Sequence, residues 1–401
     1  MRAVVVLAVV VLIGCTTSHP SPASAPRLAS ASPVVFNPAE SKAADFRTRL
    51  DLLLGEQVIL IAKESSAAGT GRGGDEYAGY LHLLTSNGND LTELVRSALG
   101  DAAATRFDQI WSAQNDNFVN YTIGLVTHNK SKADLAMSGL IRSFVPQFSQ
   151  FLAAGTQVPL DPIQQLVFQH VLETRAMIDD QIAQSFPRLY ADLRLVYAQA
   201  SRIGDAVAPR ITQKFPDKFP GNASSSAVDL RVSMNNLLQE HVYLATMTTS
   251  AATGVRTAEQ SAAARALADN ADALGTLFSG LFGAPVGTQF DRIWADGNTA
   301  LIGYATAPTP TAKQSALNQL KDAFVTRFSG FAQQTAGLTS AILRPSLEAQ
   351  VAATVTVIDD QTSNSPAKLG TDDRSADASM ATVADLIAGA AVTRLRARFA
   401  A

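Results

Sequence analysis

The phrase FDQIW, Phe107 to Trp111, is written a second time as FDRIW, Phe290 to Trp294, and these two phrases hold the only two tryptophans of the 401-residue chain. The correspondence does not stop there. Leu53-Leu54-Gly55-Glu56-Gln57-Val58 matches Leu237-Leu238-Gln239-Glu240-His241-Val242, and Leu84, Asn87 and Leu91 match Leu267, Asn270 and Leu274. Gly100 matches Gly283, Tyr121 matches Tyr304, and Phe144, Phe148 and Phe151 match Phe324, Phe328 and Phe331. Ile178-Asp179-Asp180-Gln181 returns as Ile358-Asp359-Asp360-Gln361. The spacing between counterparts drifts by only a few residues along the chain. Such regularity means one fold written twice, over 43–216 and 227–400, with DKFPGNASSS at 217–226 as the linker.

Within a copy the apolar spacing is helical. Phe107, Ile110, Trp111, Asn115 and Phe118 lie on one stripe, and Leu84, Asn87, Leu91, Leu94, Val95 and Ala98 on another. Gly-, Pro-, Asn- and Asp-rich breaks fall at 69–75, 99–103, 127–132 and 155–162. No useful stretch alternates with period two. The expectation is therefore all-α: two tandem homologous four- to five-helix up-and-down bundles, related by a pseudo-twofold axis. Each tryptophan should anchor the third helix of its bundle as core. Residues 43–216 alone are expected to be helical.

The first forty residues set a location. Arg2 precedes an apolar run from Ala3 to Ile13, too short for a stable transmembrane helix and suited to a signal peptide over 1–14. The run closes on Leu12-Ile13-Gly14-Cys15, which resembles the lipobox of bacterial lipoproteins, so Cys15 is the expected lipidation site and membrane anchor. The Ser-, Pro- and Ala-rich segment over 15–42 is expected to be a disordered tether. Nothing further along is expected to cross a membrane. Cys15 is the only cysteine, so a disulfide or thiolate metal site in the helical region is excluded. A net charge of -3 supplies no basic field for nucleic acid.

The repeated motifs carry a resemblance. The chain resembles a bacterial family of secreted or lipoprotein-type duplicated helical bundles, whose repeats read approximately LLxEHVxL, NxxDL, FxxxWxxH, Tyr and IDAQ. Some relatives carry a copper amine oxidase label. This sequence departs from that pattern: the first histidine is Gln57 in one copy and His241 in the other, and the histidine after tryptophan is Gln114 or Gly297.

Two readings of the inward polar residues compete. Glu56, Glu240, His241, Asp179 and Asp359 could converge on a transition metal, as carboxylates do in ferritin-like bundles. Alternatively, Asn87, Asn115, Asn270 and Asn298 belong, with the glutamates, to a buried hydrogen-bond network that sets helix register. The second is preferred, because neither copy has the Glu-x-x-His pairs of a di-iron site, and no cofactor is expected. GTGRGGD at 69–75 reads as a hairpin loop rather than a phosphate cradle, because it joins two helices. Ser365 and Lys368 fit S-x-x-K without companion motifs, and Asn120-Tyr121-Thr122 lacks the acidic residue of a quinone cofactor site. No catalytic constellation emerges, so binding or scaffolding at the cell envelope is favoured over metal storage or redox protection. An enzyme whose site forms between the copies is the remaining class.

Overall fold

The computed structural model describes residues 37–70, 74–363 and 365–400. Cys15 and the signal and tether residues up to 36 lie outside the described residues. Asn37–Ala401 form one compact unit, and the described residues contain helices and turns but no strand.

Copy one runs through α1 (Lys42–Thr70), α2 (Gly74–Leu99), α3 (Asp101–Val126), α4 (Lys130–Gly139), α5 (Val145–Thr156), α6 (Leu160–Ile182) and α7 (Phe186–Lys214). Copy two repeats the order as α8 (Ser226–Thr253), α9 (Thr257–Phe282), α10 (Ala284–Ala305), α11 (Pro310–Lys321), α12 (Phe328–Ala336), α13 (Ser340–Ser363) and α14 (Pro366–Arg394), closed by a turn, α15 (Arg396–Phe399). Local chemistry starts these helices in the usual way. Asn129, Ser225 and Thr309 each accept a hydrogen bond from a first-turn amide. Gly100 and Gly283, at φ 90° and 98°, make the one-residue joints before α3 and α10, where a side chain would be strained.

A π turn links α4 to α5 over Leu140–Phe144, and another links α11 to α12 over Asp322–Arg327. Pro146 is not its cause, because the counterpart, Thr326, carries the same turn without proline. Taking each kinked pair as one helix, a copy has six helices among the described residues, one more than the upper end of the expected four to five. The turn that was missed is Ala183–Ser185, where Gln184 takes φ 55°. Its only signals are Ser185 followed by Pro187, echoed by Ser365-Pro366. It creates α7 and α14, the helices that matter most below.

The two copies are not beads on a string. The central helices α1 and α8 run parallel. Near their starts Arg47 pairs with Asp229 at 2.6 Å, and its counterpart Arg231 pairs with Asp45 at 2.5 Å. Farther along, the Lys63 Nζ donates to Thr246 Oγ1 at 3.1 Å. The last helix of each copy packs against the other copy, α7 on α9 and α14 on α2. This reciprocal exchange is the expected pseudo-twofold relation, with its axis between α1 and α8. One hydrophobic cluster contains Leu53, Trp111 and Val196 from copy one and Leu238, Trp294 and Met380 from copy two. Both tryptophans are core, each ringed by phenylalanines from the kinked helix. Because the core is shared, 43–216 alone would leave its part of that core exposed.

Two boundary expectations also change. The end of the tether is part of the fold: Pro38–Glu40 form a 3-10 turn, Ala39 is buried, and Arg231 Nη1 donates to the Ala39 carbonyl at 2.9 Å. The linker is docked as well. Phe219 packs on Phe46 with ring centroids 4.7 Å apart, and Arg47 Nη1 donates to the Ala223 carbonyl at 2.6 Å. Finally, α14 is long and apolar enough by composition to cross a membrane, which the sequence reading did not expect. Here it is a core helix, with Met380, Val383 and Ile387 buried beside the acidic Asp373 and Asp377.

Candidate functional site

The polar groups that matter lie on the faces where the copies interlock. On α1, Glu56 accepts from Asn87 Nδ2 of α2 at 2.8 Å. The same carboxylate meets Arg374 of α14, with Nε at 2.9 Å, and Arg374 also holds Asp90 of α2. The counterpart repeats across the axis. Glu240 of α8 accepts from Asn270 Nδ2 of α9 at 2.6 Å and from Arg194 Nε of α7 at 2.8 Å. In each case the glutamate and asparagine come from one copy and the arginine from the other. Burial raises the Glu56 carboxyl above its ordinary range, and Arg374 offsets only part of that.

The other pair of asparagines has a separate task. Asn115 Oδ1 accepts from Gln57 Nε2 at 2.8 Å, and Asn298 Oδ1 lies 2.8 Å from His241 Nε2. Gln57 and His241 therefore do the same job, joining the central helix to the tryptophan helix. The His241 ring lies 4.8 Å from Trp294 and 5.9 Å from Phe324. A Cβ at Gly297 would come within 2.3 Å of the Phe324 ring, so a side chain at this position has no room in copy two.

At the axis the copies differ. Gly55 sits where α1, α7 and α8 close together; a Cβ there would be 2.7 Å from the Tyr197 ring and 2.9 Å from Gln239 Oε1. Its counterpart, Gln239, fills that space. Gln239 Oε1 accepts from the Tyr197 hydroxyl at 2.7 Å, and its Nε2 donates to Asp377 Oδ2 at 2.9 Å. Tyr197 and Asp377 are themselves counterparts, so one glutamine bridges two equivalent positions. Next along the axis, Lys63 pairs with Asp373 at 2.6 Å, and the Tyr80 hydroxyl donates to the same carboxylate at 2.9 Å. Both charged side chains are buried, at 7% and 1% exposure. Copy two has Met247 in place of Lys63 and Leu193, from copy one's own α7, in place of Asp373. One side of the axis is polar and the other hydrocarbon.

The proposed metal ligands do not share a point. Glu56, Glu240 and His241 sit in the three separate sets just described. Asp179 accepts from the Tyr121 hydroxyl at 2.6 Å beside Arg175, and Asp359 accepts from Tyr304 at 2.9 Å and Lys313 Nζ at 2.7 Å. These Tyr–Asp–cation groups, each a buried tyrosine on a half-exposed ion pair, are alike, though the cation comes from α6 in one copy and α11 in the other. Among the described residues no group of three or more His, Cys, Asp or Glu side chains is placed to hold a metal ion. The asparagines, by contrast, each join two helices, Asn87 and Asn270 through the glutamates and Asn115 and Asn298 through Gln57 and His241. What the sequence reading missed is that both arginines and both of Asp373 and Asp377 face this centre.

Several buried groups tie stability to pH. Burial pushes Asp377 up to about 8, with nearby Glu56 adding to the effect. Burial likewise lifts Glu64, which faces Tyr77 and Thr122, to about 8. It lowers His170 and His241 to about 4. An acid raised in the folded state favours folding most below its unfolded value near 4, and that advantage is lost as pH climbs towards 8. A histidine lowered to about 4 favours folding above 6.5, and that advantage is lost as pH falls towards 4. Between those values the two histidines oppose the acids, which Asp51 and Glu56, also raised by burial, reinforce. Above 6.5 the acids act alone. Stability is therefore expected to be higher in acidic than in neutral solution and to fall by a few kcal/mol from pH 6.5 towards pH 8. Denaturant unfolding across pH measures this. Asp377→Asn should flatten the alkaline fall, and His241→Gln, which installs copy one's residue, should lessen sensitivity to acid. A wild-type profile that rises from pH 6.5 to 8 contradicts the account.

Comparison with known proteins finds no matching family model, no matching curated protein and no matching solved structure.

Proposed function

We propose that this is a lipid-anchored, extracytoplasmic protein that acts by binding or scaffolding at the cell envelope. The observation that carries the reading is Leu12-Ile13-Gly14-Cys15 at the end of a short apolar run, followed by a Ser-, Pro- and Ala-rich stretch. The resemblance to secreted, duplicated helical bundles points the same way. Its fold supplies a suitable body. Many of the buried charges and amides described above are engaged in holding helices together, across the copies at Glu56–Arg374 and Glu240–Arg194. Such committed groups favour a rigid platform over a reaction centre.

The test is expression of the full chain in a bacterial host with a radiolabelled fatty acid. Wild-type protein should take up label and partition into the detergent phase. Cys15→Ser should do neither. Wild-type protein that stays unlabelled and aqueous rejects the anchor.

A further inference from the structure

Asp51 and Asn235 hold equivalent places on α1 and α8, and each is only 1% exposed. Asn235 Nδ2 donates to Asp385 Oδ1 at 2.8 Å and to the Arg231 carbonyl at 3.0 Å, and so fastens α8 to α14. The counterpart of Asp385 is Asp205 on α7. Copy one therefore has an acid where copy two has an amide, and sets it beside a second acid. An ionised Asp51 has no hydrogen to donate.

A charge on Asp51 would also be unsupported. Neither of its carboxyl oxygens accepts a hydrogen bond. A Cβ on Gly204 would collide with Asp51 Oδ1, so that oxygen lies against the α7 backbone, where copy two has the methyl of Ala384. Few charges face it. Asp205 of α7 repels a negative charge there, and only Arg47 of α1 attracts one. Arg47 is already committed: its Nη2 pairs with Asp205 at 2.7 Å, and its Nη1 pairs with Asp229 of α8 and donates to the Ala223 carbonyl, both at 2.6 Å. Among the described residues no charged group of α2, α3 or α6 bears on Asp51. Burial, and then Asp205, hold this carboxyl well above its ordinary range, and Arg47 offsets less.

We infer that Asp51 is a proton-operated latch between α1 and α7: it carries a proton in the native fold, and losing that proton frees α7. Protonated, the carboxyl has nearly the shape of the Asn235 amide and offers an O–H where the amide offers an N–H. Ionised, it is a buried charge with no partner, next to a like charge. Because the acid is raised in the folded state, the latch holds at low pH and lets go as pH climbs through the raised value. α7 is the helix that crosses onto α9, so its release loosens the seam between the copies from one side only. Asn235 gives α14 no such control. The latch is independent of the lipid anchor, so its failure would leave the envelope reading untouched.

Amide hydrogen exchange on the full chain, read by mass spectrometry from weakly acidic to alkaline solution and corrected for intrinsic base catalysis, tests this. In wild-type protein α7 around Asp205 should lose about tenfold or more of its protection on the alkaline side. Asp51→Asn, which installs copy two's residue, should abolish most of that loss. Asn235→Asp should add an alkaline loss around Asp385 in α14 beyond that of wild type. The inference is overturned if wild-type α7 keeps its protection in alkali, or if Asp51→Asn loses as much as wild type. A folded Asn235→Asp whose α14 responds to pH as wild type does overturns it too, whether or not Asp51→Asn folds.

Discussion

Replacing Lys63 with Met, or Asp373 with Leu, is expected to destabilise the protein by about 3–5 kcal/mol, and making both changes should restore most of the loss. Each single change leaves one charge buried with no opposite charge beside it. Lys63 and Asp373 are 7% and 1% exposed and 2.6 Å apart, so water cannot replace the missing partner. The double variant avoids this, because the protein already uses that pair: Met247 and Leu193 hold the equivalent places across the axis. The Tyr80 hydroxyl would lose an acceptor in Asp373, so recovery should be incomplete. A double-mutant cycle by chemical denaturation measures the coupling. Simple additivity of the two losses would show that the pair does not act as a unit.

The second large effect concerns the division of the chain. A chain cut to residues 37–225 is expected to lose cooperative unfolding, despite containing a full copy. It would keep α7 without α9 and α2 without α14, and Glu56 would lose Arg374. The apolar face left open continues the core that holds Trp111 and Trp294 together in one cluster. The intact chain should unfold in one transition, and mixing 37–225 with 226–401 should restore native near-ultraviolet circular dichroism. A sigmoidal melt of the half-chain alone would mean that the copies are independent after all.

Helical spacing, breaks and repeated phrases made much of this architecture legible. The all-α class and the tryptophans as core follow from local patterns, and the duplication from phrases repeated along the chain. Asn87 interrupts an apolar stripe one helix away from Glu56, and a polar group in that position needs a partner nearby. The α6–α7 turn was hidden because Gln184 carries no mark of its left-handed conformation. The metal reading gathered carboxylates by their position in the repeat. Position in the repeat says nothing of distance, and Asp179 is engaged by Tyr121 and Arg175, not by the set around Glu56.

By itself the sequence determined that the chain is helical and which side chains anchor each helix, because these depend on residues within a few turns of one another, and that it is written twice, because its phrases recur in order. Only the tertiary structure decided that α7 and α14 cross to the opposite copy and that Lys63, Asp373, Arg374 and Asp377 meet at the axis. The physical reason lies in α1, whose residues from Leu53 to Ala67 are buried on every side. Charges on a helix ordinarily mark its wet face. On a helix with no wet face they mark partners supplied by distant segments, and the spacing of residues along one strand of sequence does not reveal where those partners are.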